Sequence, residues 1–189
     1  MFSKIIVQQN YFPRQWCDNI NSYMSQNVPP HPTFGKKGIR RCEVRLLTPN
    51  MKPYEGVFRS LIDFAKANID HIDVDIDYKI DGGIQHITYH PGHHVGWHND
   101  TMNYAAGKNN PMYSDLKINR KVSLTVMLSD PTDYTGGEFI FEPGIPMNAK
   151  VEGKGTVAMF TSHSQHMVQE ITSGVRNILF IFMTGPEWR

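Results

Sequence analysis

The residue types best suited to chemistry are concentrated between positions 86 and 100. This segment holds five of the nine histidines and ends in His98 and Asp100. In an extended segment, side chains two positions apart point to the same face, so this imidazole and carboxylate would converge. Two histidines and one carboxylate form the ligand set that suits non-haem Fe(II). The pair therefore predicts part of a metal site that needs one more histidine.

Two histidines follow Asp100 in the chain, namely His163 and His166, and either could complete the site. We favour His166 because it begins a predicted strand, and Arg176 begins the next one after a tight turn. Antiparallel pairing of these two strands would place Arg176 beside His166. His163 has no such neighbour and is predicted to be a turn residue.

An arginine beside such a site has a chemical use. Fe(II) bound by two imidazoles and one carboxylate keeps open positions for a 2-oxo acid and O₂. If that acid is a dicarboxylate, its second carboxylate needs a cation, and arginine offers a two-pronged one. Zinc is the main competing metal, but a zinc hydrolase would also need a general base. No separate carboxylate near His98 presents itself for that role.

The elements that must position these residues are mostly β. Two helices with one apolar face each are predicted early in the chain, one opening near Pro13 and one at Pro53. From Arg120 onward, short β runs alternate with turns rich in glycine. The predicted strands of this part are Val122–Leu128, Glu138–Phe141, Ala149–Val151, Thr156–Phe160, His166–Ile171 and Val175–Met183. We predict a mostly β fold with flanking helices, built on a double-stranded β-helix (a jelly roll, cupin-like).

The length of 189 residues suits one domain. We expect residues 1–189 to form it, with helical support over about 1–80 and the jelly-roll core over about 81–185. The net charge of +1 offers no field to attract nucleic acid or a membrane. Cys17 and Cys42 suggest neither a disulfide framework nor a zinc site. The apolar runs are too short for a signal peptide or a membrane span, so we expect a cytoplasmic protein.

Several segments allow two interpretations. The basic residues Lys36, Lys37, Arg40 and Arg41 could receive an acidic substrate, but a solvated loop is favoured. The alternation over 73–81 could form a row of carboxylates for a cation, but a half-solvated strand is favoured. The polar stretch 101–119 is read equally as a lid or as a disordered insertion.

Four pieces of the sequence resemble the Fe(II)- and 2-oxoglutarate-dependent dioxygenases. Within that superfamily they are most similar to the prolyl 4-hydroxylase-like branch and its PKHD-type hydroxylases. The pieces are Tyr89 and Gly92 leading to Gly96, His98 and Asp100; Ser123–Pro131 with Asp133, Tyr134 and Gly136–Glu138; Phe160 and Ser162 with His166 and Val168; and Gly174 with Arg176. They cover about half of the chain.

The resemblance implies a role for each matching residue. His98, Asp100 and His166 would bind Fe(II), and Arg176 would bind the distal carboxylate of 2-oxoglutarate. Tyr89 and Thr125 would line the co-substrate pocket, with Ser123 and Met127 on the same face as Thr125. Gly136 and Gly137 would form the turn before the next strand, and their role would be to allow its backbone geometry. The catalytic set would thus be His98, Asp100, His166 and Arg176, with O₂ as second co-substrate and ascorbate as a further cofactor.

The sequence also departs from the family pattern. Val95 replaces an aromatic residue that the family often places three positions before the first metal ligand. An aspartate at position 100, rather than glycine or alanine, implies hydroxylation and not halogenation. Phe182 stands where the nucleobase demethylases carry a second arginine. Substrate contact and packing are equally good interpretations of Trp97, Met102 and Tyr104. We interpret His93 and His94 as residues at the rim of the site.

The resulting hypothesis is a procollagen-proline-type hydroxylase that acts on peptidyl proline and releases succinate and CO₂. One alternative keeps the chemistry and changes the substrate to a free amino acid, a small metabolite or a nucleotide. The other is a jelly roll that binds metal without catalysis, as a sensor or an interaction module.

Overall fold

The computed structural model describes residues 4–32, 38–72, 74–101 and 119–186. Its helices are α1 (Arg14–Asn27) and α2 (Tyr54–Asn68). The strands before position 102 are β1 (Ile6–Gln8), β2 (Arg40–Arg41), β3 (Glu43–Leu47), β4 (Ile80–Tyr89) and β5 (His94–His98). Those after it are β6 (Asn119–Met127), β7 (Tyr134–Gly136), β8 (Phe139–Phe141), β9 (Val157–Thr161), β10 (His166–Val168), β11 (Ile171–Gly174) and β12 (Arg176–Gly185).

The strands form two facing layers. The large sheet has the order β1-β9-β6-β12-β4-β3, and the small sheet has the order β2-β5-β10-β8. Strands β7 and β11 form a separate pair. Neighbouring strands are antiparallel throughout these sheets. The predicted fold class, a mostly β jelly roll with flanking helices, is confirmed.

The large sheet buries apolar side chains on both faces. One core lies between its outer face and the two helices, where Leu61 and Phe64 of α2 join Leu124 of β6. The other core lies between its inner face and the small sheet, where Phe160, Ile178 and Phe180 belong. This double burial explains the continuous apolar runs of β9 and β12, since alternation disappears when both faces are covered.

The predicted strand over 73–81 is wrong in its first part. Residues 74–79 form no regular strand, and β4 begins only at Ile80. Tyr78 has a φ of 55°, which breaks an extended run. The segment instead exchanges two hydrogen bonds with Thr184, whose N–H donates to Lys79 and whose carbonyl accepts from Asp77. The apolar residues of the alternation still pack against the outer core.

One other predicted strand is wrong, because the strand expected at Ala149–Val151 does not form. Strands β1 and β3, from the first 80 residues, are the two edges of the large sheet. Within the residues that the structure describes, no helix is long and apolar enough to cross a membrane.

His86 lies on the outer face of β4, where its Nε2 is 2.9 Å from Oδ1 of Asn21 in α1. Burial, helped by the charge of Arg45, lowers the pKa of His86 from 6.5 to about 4. Between these two pKa values, His86 is protonated in the unfolded chain and neutral in the folded chain. The free energy of unfolding should therefore fall as the pH drops through this window, by up to about 3 kcal/mol.

Replacing His86 with glutamine should reduce the slope of the free energy of unfolding against pH in this window. The reduction should correspond to about one proton bound by the unfolded chain. Urea unfolding at a series of pH values across the window measures the slope directly. The His71→Gln variant, which makes the same substitution at an exposed position, is the matched control. An unchanged slope in His86→Gln would show that this imidazole does not titrate differently on folding.

Candidate active site

His98, Asp100 and His166 come together between the two sheets. His98 ends β5 and His166 begins the neighbouring β10, where the two residues are direct partners in the register. Asp100 follows β5 by two residues. Its carboxylate oxygens lie 3.4 Å from Nε2 of His98 and 3.5 Å from Nε2 of His166. One ligand atom from each residue lies within 4.8 Å of the others, so the three can hold one metal ion.

Backbone carbonyls fix the orientation of both imidazoles. Nδ1 of His98 is 2.8 Å from the Gly96 carbonyl, and Nδ1 of His166 is 2.9 Å from the Ser164 carbonyl. A carbonyl only accepts, so both Nδ1 atoms carry the proton. Each Nε2 faces Asp100 and is the ring atom left to bind a metal ion when it carries no proton, which is the usual arrangement of metal-binding histidines.

Asp100 is held by three groups besides the histidines. Its backbone N–H donates to the Ser162 carbonyl at 2.8 Å, and the Ser123 hydroxyl donates to its carboxylate at 2.6 Å. Arg120 Nη1 lies 3.5 Å from its carbonyl oxygen. Burial acts to raise the pKa of Asp100, but hydrogen bonds and charge from the two histidines and Ser123 outweigh it and lower the pKa. The carboxylate is therefore ionised and ready to bind a cation.

The two histidines differ in their surroundings. His166 is 1% exposed and stacks against Phe139, with ring centroids 5.3 Å apart. Burial lowers its pKa despite the nearby Asp100 charge. For His98, burial acts in the same direction, but the hydrogen bond and charge of Asp100 outweigh it and raise the pKa. A bound metal would replace that proton in stabilising Asp100.

Arg176 and Tyr89 form a second group on the facing sheet. They are direct partners in the register of β12 and β4. The guanidinium carbon lies 5.3 Å from the centre of the Tyr89 ring. Both side chains are buried, and burial is the main reason that the pKa of Tyr89 rises to about 12. The phenol therefore stays protonated.

The strand pairing that led to His166 is wrong. We expected β10 to pair with the strand of Arg176, but β10 pairs with β5 and β8, whereas β12 pairs with β4 and β6. The intervening β11 pairs with β7 and carries the chain from the small sheet to the large one. His166 and Arg176 thus reach the same interior from opposite layers. His163 lies exposed in the turn before β10.

The environment of Arg176 fits an anionic ligand. The residue is 0% exposed, and its Nε and Nη1 atoms are buried without a hydrogen-bond partner among the described residues. Its Nη2 is 3.5 Å from the sulfur of Met127, a weak acceptor. No carboxylate in the described part of the chain pairs with it. A buried guanidinium with unsatisfied donors destabilises the folded state unless an anion binds to it.

Gly136 and Gly137 have the backbone role that was predicted. Both have positive φ angles, and a Cβ on Gly136 would lie 2.2 Å from the Glu170 carbonyl oxygen. A Cβ on Gly137 would lie 2.2 Å from Ile171 and 3.4 Å from Cδ of Arg176. Only glycine lets β7 approach β11 this closely, which packs the turn against the stem of Arg176.

The inward face of β6 carries Ser123, Thr125 and Met127, as the alternation predicted. Ser123 contacts Asp100, and Met127 contacts Arg176. The Thr125 hydroxyl donates to the Leu179 carbonyl at 3.2 Å, so it is engaged within the sheet. A contact of Thr125 with 2-oxoglutarate stays a prediction.

A cavity of about 220 Å³ opens beside His98, Asp100 and His166. Tyr89 and Val95 line it, together with Ile178 and Phe180. Arg40 and Arg120 also line the cavity, and neither was predicted to bind the metal or the co-substrate. Arg40 was named only within the basic segment that could receive an acidic substrate, and Arg120 was not named as a site residue. The places of β2 and β6 in the sheets bring these two side chains to the cavity.

Arg120 is held from three sides. Its Nε donates to Oδ2 of Asp81 at 2.6 Å, and its guanidinium lies 3.6 Å from the centre of the Phe182 ring. Its contact with the Asp100 carbonyl is the third.

The other residues considered for substrate contact add little to this description of the site. Trp97 is 49% exposed and does not line the cavity, while Met102 and Tyr104 lie outside the described residues.

Comparisons with known proteins agree with this geometry. Residues 84–184 match the model of the 2OG-Fe(II) oxygenase superfamily. A PKHD-type hydroxylase of Sphingopyxis alaskensis is 31% identical over 130 residues, which cover 69% of this chain and 56% of that protein. A PKHD-type hydroxylase of Hyphomonas neptunium is 32% identical over 94 residues, covering 50% of this chain and 39% of that protein. The chain thus matches about half or less of these relatives' length.

Solved structures share the fold. A prolyl-4-hydroxylase of Pseudomonas putida superposes with a TM-score of 0.69 at 15% identity, covering 98% of this chain and 94% of that one. The viral collagen prolyl hydroxylase of Paramecium bursaria Chlorella virus-1, solved with 2OG, superposes with a TM-score of 0.68 at 18% identity and covers 96% of each chain.

The family match spans more than half of the chain and contains His98, Asp100, His166 and Arg176. Such oxygenases use Fe(II), 2-oxoglutarate and O₂, and the donor set and the buried guanidinium suit the first two. This chain belongs to the 2OG-Fe(II) oxygenase superfamily.

Proposed function

We propose that this chain hydroxylates an aliphatic C–H bond, with His98, Asp100 and His166 as the Fe(II) ligands. When bound, Fe(II), 2-oxoglutarate and O₂ supply the oxidation, in which one oxygen atom enters the substrate and the co-substrate becomes succinate and CO₂. The chain's own residues hold the metal, orient the co-substrate and exclude water.

One observation carries this proposal, namely that the three ligands and an uncompensated buried guanidinium face the same interior from opposite sheets. Arg176 would bind the distal carboxylate of 2-oxoglutarate through two parallel hydrogen bonds. Tyr89, protonated and adjacent, would support the same molecule. A zinc hydrolase would need a further carboxylate as base. Among the described residues that line the cavity, Asp100 is the only one.

For the substrate we propose peptidyl proline. This extension is supported by two structural neighbours, which are a prolyl-4-hydroxylase and a collagen prolyl hydroxylase. The interior near the metal groups also suits a small apolar ring, since Val95, Ile178 and Phe180 line the cavity. Ascorbate as a reductant for the metal, and a cytoplasmic location, stay predictions.

Mass spectrometry on a substrate panel tests the proposal. The protein would be incubated with Fe(II), 2-oxoglutarate, O₂ and ascorbate, together with proline-containing peptides, free L-proline or mononucleotides. The expected result is a peptide that gains the mass of one oxygen atom, with succinate formed in equal amount. A matched peptide with pipecolic acid in place of proline reports whether the five-membered ring is selected.

Three results would count against the proposal. Oxidation of free proline or of a nucleotide, with peptides unchanged, would remove the peptidyl assignment and keep the chemistry. Metal binding without any consumption of 2-oxoglutarate would favour a jelly roll that acts as a sensor or an interaction module. Consumption that persists when His166 is alanine would overturn the ligand assignment.

A further inference from the structure

Two fully buried serines connect Asp100 to the large sheet. Ser123 lies on the inner face of β6, and its register partner in the neighbouring β9 is Phe160. Ser162 follows the end of β9, and its N–H donates to the Lys121 carbonyl of β6 at 2.9 Å. Both serines are 0% exposed. The two hydroxyls are therefore carried by one rigid pair of strands, out of reach of solvent.

The direction of the hydrogen bonds between these groups follows from their chemistry. A carboxylate that binds a metal is ionised and only accepts, so the Ser123 hydroxyl donates its single proton to Oδ2 of Asp100 at 2.6 Å. At the 3.2 Å contact between the two hydroxyls, Ser162 is then the donor and Ser123 the acceptor. The Ser162 carbonyl also accepts the N–H of Asp100 at 2.8 Å. Oδ2 is thus held by a short, charge-assisted hydrogen bond whose donor is itself held in place.

The carboxylate of Asp100 offers one oxygen to each imidazole. Oδ1 lies 3.4 Å from Nε2 of His98, and Oδ2 lies 3.5 Å from Nε2 of His166. The positions of the two imidazoles alone therefore do not select which oxygen binds a metal ion. The hydrogen bond from Ser123 does distinguish them, because it engages Oδ2 and leaves Oδ1 as the better ligand atom.

We propose that Ser123 is a positioning residue that keeps Asp100 a ligand through one oxygen only. A carboxylate that bound through both oxygens would occupy one of the positions that a site of two histidines and one carboxylate leaves open. 2-Oxoglutarate and O₂ need those positions under the proposed function, on which this inference rests. The hydroxyl of Ser123 thus serves the binding of the co-substrate more than the binding of the metal.

Replacing Ser123 with alanine tests this role. Without the hydroxyl, Oδ2 of Asp100 becomes a buried acceptor that has lost its donor, which favours its binding to the metal. We expect Fe(II) to bind as tightly as to the natural chain or more tightly. 2-Oxoglutarate should bind about 10-fold more weakly or worse, because it must displace an oxygen that the lost hydrogen bond no longer holds. Calorimetric titrations under argon, first with Fe(II) and then with 2-oxoglutarate at saturating Fe(II), give both affinities without turnover.

A purely structural role for Ser123 predicts a different result. If the hydroxyl only supported the ligand, its removal would weaken Fe(II) binding itself by about 10- to 100-fold. The two roles therefore differ in the direction of the Fe(II) affinity, which does not depend on any activity of the loaded protein. Urea unfolding of Ser123→Ala would show whether the variant is as stable as the natural chain.

Three further variants locate the effect. Ser123→Thr keeps the hydroxyl on a residue that suits a strand and should restore the affinity for 2-oxoglutarate. Ser162→Ala keeps the donor to Asp100 and removes only the group that holds it, so it should weaken 2-oxoglutarate binding by a smaller factor. Ser25→Ala makes the same substitution at an exposed serine of α1, whose hydroxyl donates to the Ser22 carbonyl, and should change neither affinity.

The inference would be overturned by weaker Fe(II) binding in Ser123→Ala, by an unchanged 2-oxoglutarate affinity in that variant, or by a natural chain that does not bind 2-oxoglutarate. Should Ser123→Ala fail to fold, an unchanged 2-oxoglutarate affinity in Ser162→Ala would overturn it as well. The outcome is separable from the proposed function. The expected pair of affinities, found in a protein that incorporates oxygen into no substrate of the panel, would support this inference and refute the hydroxylase assignment.

Discussion

Replacing Asp100 with alanine is expected to abolish hydroxylation and to weaken Fe(II) binding by more than about a hundredfold. Loss of a hydrogen-bond partner of a metal ligand typically weakens binding about 10- to 100-fold, so loss of the carboxylate ligand itself should exceed that range. Asp100 is also the sole anion among the three groups, and both imidazoles point at it. Anaerobic titration with Fe(II) and a succinate assay measure the two effects.

The fold should survive this change. Alanine removes a buried carboxylate whose desolvation is unfavourable, and the backbone hydrogen bond from position 100 to Ser162 remains. Circular dichroism would confirm that the variant is folded. His163→Ala is the matched control, since His163 was the other candidate for the third ligand and lies exposed in a turn. Loss of metal binding in His163→Ala, with retention in His166→Ala, would reverse the assignment.

Replacing Arg176 with methionine is expected to weaken 2-oxoglutarate binding by about 3–5 kcal/mol and to leave Fe(II) binding nearly unchanged. Breaking a buried charge pair typically costs this amount. Methionine preserves much of the side-chain volume, so the effect of a cavity is kept small. Calorimetric titration with 2-oxoglutarate, at saturating Fe(II) and without O₂, gives the affinity.

Stability provides a second measure of the same residue. Without co-substrate, Arg176→Met should be as stable as the natural chain or more stable, since it removes a buried cation that has no anion among the described residues. In the presence of 2-oxoglutarate the order should reverse, because only the natural chain gains from binding. Arg176→Lys should bind with intermediate affinity. Equal loss of metal and co-substrate affinity in Arg176→Met would contradict the division of roles.

The convergence of His98 and Asp100 could be predicted because their geometry is local. His98 and Asp100 are two positions apart, and an extended backbone brings their side chains to one face. The same holds for the inward alternation of Ser123, Thr125 and Met127. The amphipathic helices were predictable for a similar reason, since their apolar spacing depends on only a few turns of chain.

Strand partners were not predictable in this way. The argument for His166 selected a residue that does join the site, but through a pairing of β10 with β12 that does not exist. Sheet neighbours are chosen by long-range packing, and the short β11 redirects the chain between the layers without a signal in the sequence. The resemblance to a family supplied what local patterns could not.

Two further differences have the same origin. The segment 74–79 alternates like a strand, yet its backbone hydrogen bonds go to Thr184 beyond the end of the ladder. Arg40 was placed in a solvated loop, but β2 adds to the edge of the small sheet and turns the guanidinium inward. In both cases, a contact with a distant part of the chain decides between interpretations that the local residues leave open.

The position of the two sheets has a consequence for how such a protein can diverge. The histidines belong to the small sheet and Arg176 with Tyr89 to the large one, while Asp100 is also held from the large sheet by Ser123. Under the roles proposed above, substitutions beside the two histidines would change the affinity for iron, and substitutions beside Arg176 and Tyr89 would change the affinity for 2-oxoglutarate. A lineage could then adjust its demand for iron and its sensitivity to the cellular supply of 2-oxoglutarate by separate mutations.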